Sequence, residues 1–154
     1  MNYIKLQQDI LKARYRERTG GRNLPYMYGL TETSVGIVVD SSYLIMVPWA
    51  VWYLDLEKIF QDRKPVNIEN LIKNQRDAIP AYDTGMIRVI TQDKHNVGVF
   101  KLDKPDSEEI WIAINNLKYF DKDLTTYAGT AKNKPVYLYE YEALVGMILP
   151  VAHN

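Results

Sequence analysis

Residues 135–151, PVYLYEYEALVGMILPV, restrict the fold more than any other part of this chain. Val136, Leu138 and Glu140 alternate with Tyr137, Tyr139 and Tyr141, which is the period of two of a pleated strand. The run 144–149 is almost wholly apolar and is expected to be buried on both faces, or on one face with a covered edge. Glu142 and Ala143 are the expected turn between them. Pro150 has no N–H to give to a central ladder and is expected to end the second strand. Such a hairpin has to dock into a larger sheet. It dictates architecture, not chemistry.

The rest of the chain has to supply that sheet. At 154 residues it is about one domain long, and 47% hydrophobic with 25% charged residues is enough to bury a core without staples. There is no cysteine, which excludes a disulfide framework, a thiolate metal site and a cysteine nucleophile. The N-terminus, MNYIKLQQDILKARYRER, lacks the apolar core of a signal peptide. The longest apolar run, residues 43–54, is broken by Pro48 and is too short to span a bilayer. A cytoplasmic protein without a membrane segment is therefore expected.

Along the chain, Tyr3, Leu6, Ile10 and Ala13 recur at spacings of three and four, predicting a helix that ends near Arg18. Thr19, Gly20 and Gly21 form its stop signal. Three strands are expected at 26–33, 35–40 and 43–47, as a meander with a turn at Asp40, Ser41 and Ser42. Trp49, Trp52, Tyr53, Leu56, Ile59 and Phe60 then recur at helical spacing behind Pro48. Residues 61–85 are polar, with two prolines and one glycine, and read as a connector with a short helix at 68–74.

A strand pair follows at 86–91 and 97–102, then an apolar strand at 110–114. Asn115 or Asn116 is placed to cap a short helix running to Phe120, and residues 124–128 begin the last sheet. The expectation is one α+β domain of two pseudo-repeated helix-plus-antiparallel-sheet units, about 1–64 and 82–154, joined by a connector at about 65–81.

Formal net charge is zero, but residues 1–30 hold six cations, Lys5, Lys12, Arg14, Arg16, Arg18 and Arg22, against Asp9 and Glu17. This marks either a polyanion-facing end or a solvated helix face. The aromatics Tyr26, Tyr28, Tyr43, Trp49, Trp52 and Tyr53 cluster in the same third of the chain. The shared helical stripe of Trp49, Trp52, Leu56 and Ile59 favours a core role, with base stacking or a partner interface as the alternatives.

Recognisable catalytic patterns are missing. His95 lies in an expected turn and His153 beside the C-terminal residue, neither at metal-ligand spacing. Gly20 and Gly21 follow a helix, whereas a phosphate cradle needs glycines between a strand and a helix start. No serine-nucleophile elbow occurs. A non-enzymatic protein needing no cofactor is expected.

Three patches together resemble a domain of the DNA sliding clamps, particularly the stand-alone clamp-like proteins of phages and mobile elements. They are the N-terminal helix leading to a meander that ends IVVDSSYLIMVP, the strand-to-helix segment IWIAINNLKYFDKD, and the terminal PVYLYEYEALVGMILPV. The resemblance implies two helix-plus-sheet units related by a pseudo-twofold, with helices towards DNA and sheets outside. It implies that Lys5, Lys12 and Arg16, backed by Arg14, Arg18 and Arg22, contact phosphates without reading sequence, with Lys118 and Lys122 adding to the same field. It also implies that Leu149, Pro150 and Val151 help form an apolar pocket for peptides of a polymerase or another replication protein. One chain holds one such domain, so encirclement of duplex DNA would need a homo-oligomer. The alternative is an α+β protein-interaction module with an aromatic partner-binding surface.

Overall fold

In the computed structural model of this chain, residues 1–20, 23–61, 63–106 and 108–151 are described. Helix α1 (Tyr3–Arg18) starts where the Asn2 side chain accepts a hydrogen bond from the Lys5 amide, one of the donors a helix start leaves unpaired. Its expected stripe is the buried one: Leu6 and Ile10 are wholly enclosed, and Tyr3 and Ala13 pack at the margin. The amide and hydroxyl of Thr19 both return to the Tyr15 carbonyl and close the last turn.

Strands β1 (Tyr26–Leu30), β2 (Ser34–Val39) and β3 (Tyr43–Pro48) form the expected antiparallel meander. Asp40 and Ser41 both adopt positive φ between β2 and β3, the two-residue reversal whose twist suits neighbouring strands. The helical periodicity behind Pro48 does not become one helix. A short helical turn at Trp49–Val51 stops, the chain extends, and α2 (Leu56–Phe60) begins anew with Asp55 accepting from the Glu57 and Lys58 amides. Gln7, buried on α1, holds the gap open. Its amide donates to the Val51 carbonyl at 2.9 Å and accepts from the Tyr53 N–H at 2.6 Å.

The expected connector is a cover. Helix α3 (Ile68–Leu71), capped by Asn67, lies against the outer face of the meander through Ile68, and a helical turn at Lys73–Asp77 follows it. Ile68 fits so closely over β1 and β2 that a Cβ on Gly29 or Gly36 would come within 2.4 or 2.6 Å of its side chain. Only glycine leaves that space free.

The remaining strands are β4 (Ile79–Gln92), β5 (His95–Asp103), β6 (Glu109–Ala113), β7 (Thr125–Gly129), β8 (Val136–Glu140) and β9 (Ala143–Ile148). β4 is much longer than the strand expected at 86–91. The helical turn after β6 covers Ile114–Leu117, so it starts before Asn115 and Asn116 and neither side chain caps it. The terminal hairpin turns at Tyr141 and Glu142, both with positive φ, one residue ahead of the expected position.

Every strand pairing is antiparallel, in the order β1-β2-β3-β9-β8-β7-β4-β5-β6. The fold is thus α+β with one nine-stranded antiparallel sheet and few helices. β3 and β9 meet through Tyr43↔Ile148, Leu44↔Met147 and Ile45↔Gly146. One core lies under α1 and takes Ile37, Ile45, Val136 and Leu138 as well as Phe100, Leu102, Ile110 and Ile112. A second, on the opposite side, joins Ile68 to Val38, Leu44, Met46, Tyr137 and Met147. β9 is consequently buried on both faces, as its apolar run requires. Beyond it, the Val151 amide donates to the Trp111 carbonyl at 2.8 Å, which brings the end of the terminal segment back to β6. Among the described residues no helix is long and apolar enough to cross a membrane.

Candidate functional site

The six basic residues singled out in the sequence do not form one free surface. Lys5 is paired with Asp9 at 2.7 Å, and Arg14 is paired with Glu17 while donating to Gln61 at 2.7 Å. Arg18 is exposed and donates to the Lys58 carbonyl at 3.1 Å. Arg22 lies outside the described residues, as does His153. Lys12 and Arg16 are exposed, four residues apart on α1, with no ion-pair partner among the described residues. They have Tyr15 and Leu11, also exposed, between and beside them.

The other side of α1 meets the segment after β6. The Asn2 amide donates to the Tyr119 carbonyl at 2.8 Å, and Asp9 receives the Tyr119 hydroxyl at 2.5 Å and the Lys118 ammonium at 3.3 Å. Burial pushes the Asp9 carboxyl up, but hydrogen bonds from Lys5, Tyr119 and Lys118 outweigh it and hold the group down at about 2. Tyr119 is driven well above the usual phenol range by burial first and by its bond to Asp9 second. Lys118 is thus committed to Asp9, while Lys122 is exposed elsewhere, on the rim described below.

The aromatic group divides. Tyr26 and Tyr43 are buried, Tyr28 stacks on Phe60 at 4.6 Å between centroids, and Trp52 packs against the core. Trp49 and Tyr53 remain exposed, with the Trp49 indole N–H donating to the Thr31 carbonyl at 3.0 Å. Leu149 is exposed, and Pro150 and Val151 are half-buried, on the stretch that runs from the Ser42 carbonyl to that of Trp111. They line no part of the large cleft in this molecule.

That cleft opens where β4 leaves β7. Their ladder consists of Ile79↔Gly129, Pro80↔Ala128 and Ala81↔Tyr127, after which, among the described residues, β4 pairs with β5 alone. A bulge between Asp83 and Ile87, with Gly85 at φ 75°, turns the strand away. The bend satisfies itself: the Asp83 carboxylate accepts from the Gly85 amide at 2.8 Å and the Thr84 hydroxyl from the Met86 amide at 3.2 Å.

The fork encloses about 1000 Å³, in the size range of small-molecule and peptide sites. The Phe100 and Tyr127 rings pack on each other in its wall at 5.9 Å between centroids, with Leu117 and Ile114 adjoining. Tyr82, Tyr139 and Tyr141 add aromatic surface, and among the described residues the charged lining is Asp83, Asp123 and Glu142 against Lys122. Burial and the nearby Asp83 charge push the Tyr127 phenol up to about 12, so it is a neutral hydrogen-bonding group at physiological pH.

Ile87 and Val89 carry the apolar face of β4 beyond the cleft, sharing a side of the hairpin with Phe100, yet they are 67% and 66% exposed. No sequence signal marked this site, because its walls come from five separate segments and each apolar residue in them reads equally well as core. Among the described residues no group of three or more His, Asp or Glu side chains is placed to hold a metal ion. Compared with family models, curated proteins and solved structures, the chain matches none.

Proposed function

We propose that this chain is a non-enzymatic, clamp-like domain that binds duplex DNA through the outer face of α1. The observation that carries the reading is the strand order. From the β3–β9 ladder, β2 and β1 follow outwards on one side and β8 and β7 on the other, so two three-stranded sets flank one junction. Each set follows a helical element in the chain, α1 before β1 and the Ile114–Leu117 turn before β7. The contacts of Asn2 and Asp9 with Tyr119 bring those two elements together, which supports two helix-plus-sheet units about a pseudo-twofold.

Lys12 and Arg16 are the cations on α1 best placed to meet phosphates, since they are exposed and uncommitted among the described residues. Two such contacts give binding that is sequence-independent and salt-sensitive. In this reading the protein acts in the cytoplasm, a polymerase or other replication protein is the partner, and a ring requires several copies of the chain. The test is fluorescence anisotropy of a labelled duplex against salt, with Lys12→Glu/Arg16→Glu beside the native protein, and the native mass measured in parallel. Affinity that falls with salt and collapses in the double variant is expected; a folded protein with no affinity at low salt removes the DNA reading.

A second reading, an α+β protein-interaction module, is favoured by the tyrosine-rich cleft at the β4–β7 fork. It requires a partner whose binding survives reversal of Lys12 and Arg16 and is lost on changing Tyr82 or Tyr141, both of which are exposed.

A further inference from the structure

From the fork we infer that this protein captures an extended peptide by strand addition to the free edge of β4, and that the peptide carries apolar side chains at alternate positions and Lys or Arg flanking them. The inference deepens the protein-interaction reading and rests on it; it does not depend on DNA binding.

Three features converge on it. The first is backbone. Past Ala81, β4 has β5 on one side and, among the described residues, no strand on the other, so alternate residues of its outer edge present N–H and C=O groups to solvent. Proteins blunt such edges with charge, proline or short length, yet here the stretch 86–90 reads Met-Ile-Arg-Val-Ile with a single charge. That charge is turned from the edge, since the Arg88 guanidinium lies over the Trp111 ring at 4.6 Å.

The second is the apolar surface. Ile87 and Val89 point to the same side as Phe100, whose ring belongs to the core, so the exposed pair continues an apolar path that leads into the cleft. An incoming strand places every second side chain on that path. The cleft at its end, bounded by Phe100, Tyr127 and Leu117, has room for an aromatic or branched anchor.

The third is charge. Asp83, Asp123 and Glu142 are exposed at the cleft against Lys122 among the described residues, so the field at its mouth is negative and favours a basic flank on the occupant.

The experiment pans phage-displayed random dodecapeptides on the full chain and measures the enriched sequences by fluorescence polarisation. Expected are peptides with alternating apolar residues beside Lys or Arg, weakened about tenfold or more by Ile87→Glu and by Val89→Glu, exposed positions where the change leaves the core intact. Asp83→Asn/Asp123→Asn flattens the salt dependence, and Lys12→Glu/Arg16→Glu changes nothing. Amide hydrogen exchange on the native protein supplies a readout independent of any variant: peptide binding protects β4 amides between Ile87 and Thr91. Peptides that bind in the cleft without protecting those amides overturn strand addition while leaving the interaction reading standing. No enrichment, or self-association abolished by Ile87→Glu, overturns the inference outright.

Discussion

The phenolic oxygen of Tyr119 lies 2.5 Å from Oδ2 of Asp9, joining the middle of α1 to the chain just beyond the Ile114–Leu117 turn. Hydrogen bonds to a charged partner contribute about 1.5–3 kcal/mol, and Tyr119→Phe leaves the ring in place while removing the bond. Urea denaturation of that variant is expected to show a loss within this range at neutral pH. A variant as stable as the native protein would mean that water replaces the hydroxyl without cost.

Asp9 also sets a pH dependence. Its carboxyl is held at about 2, below the roughly 3.9 of an unfolded aspartate. A depressed pKa gives stability that is complete above the unfolded value and is lost as pH falls through the folded one. Asp9→Asn is therefore expected to flatten the stability profile between about pH 4 and pH 2. A profile in that window identical to the native one would remove Asp9 from the account.

Ile68 and Gly36 form a coupled pair. Ile68→Ala opens a cavity on the outer face and is expected to cost about 2–5 kcal/mol. Gly36→Ala places a methyl within 2.6 Å of Ile68 Cδ1 and is expected to cost about 1–3 kcal/mol. Combined with Ile68→Ala, the added methyl has space, so the double variant should be more stable than the two losses predict. Strict additivity in the double-mutant cycle would deny the contact.

Glu17 gathers the C-terminal end of α1. Its carboxylate accepts from the Leu24 amide, from Arg63 at 2.9 Å and from Arg14. The Leu24 amide, with the neighbouring guanidinium charges, pulls its pKa below the ordinary glutamate value despite the opposing effect of burial. Glu17→Ala should lower the urea midpoint more than Arg16→Ala, whose side chain has no partner among the described residues. Equal midpoints would argue against a structural role for this cluster.

On DNA, each phosphate contact contributes about 0.9 to the slope of log affinity against log salt. Lys12→Glu/Arg16→Glu should therefore reduce the slope by about 2. Arg14→Ala should leave it unchanged, because that guanidinium is already held by Glu17 and Gln61.

Local pattern explains what the sequence made legible. The stripe Leu6 and Ile10, the meander with its Asp40 turn and the terminal hairpin each depend on neighbours in the chain. The break after Val51 was hidden because two short helical pieces preserve the spacing of one, and the reason for the break, Gln7, comes from another element. The length of β4 was hidden because Pro80, Gly85 and exposed polar residues read as a connector, although all lie in the strand. Charge on α1 was visible residue by residue. Which cations are free was not, since Arg14 is occupied by Gln61, far along the chain. The cleft left no trace, as divergence of two strands is a property of their pairing.

The junction of β3 with β9 has a kinetic consequence. Its paired residues, from Tyr43↔Ile148 to Ile45↔Gly146, are roughly a hundred positions apart, and closing so long a loop carries an entropic cost before the ladder can repay it. The β2–β3 and β8–β9 hairpins can assemble early from adjacent residues, but the seam between them must wait for both. On the ribosome, β3 then emerges with one edge unpaired and keeps it until the last strand has been synthesised. Leu44, Ile45 and their neighbours are open to misassembly for that interval, so slow folding is the expected consequence of the order of the strands.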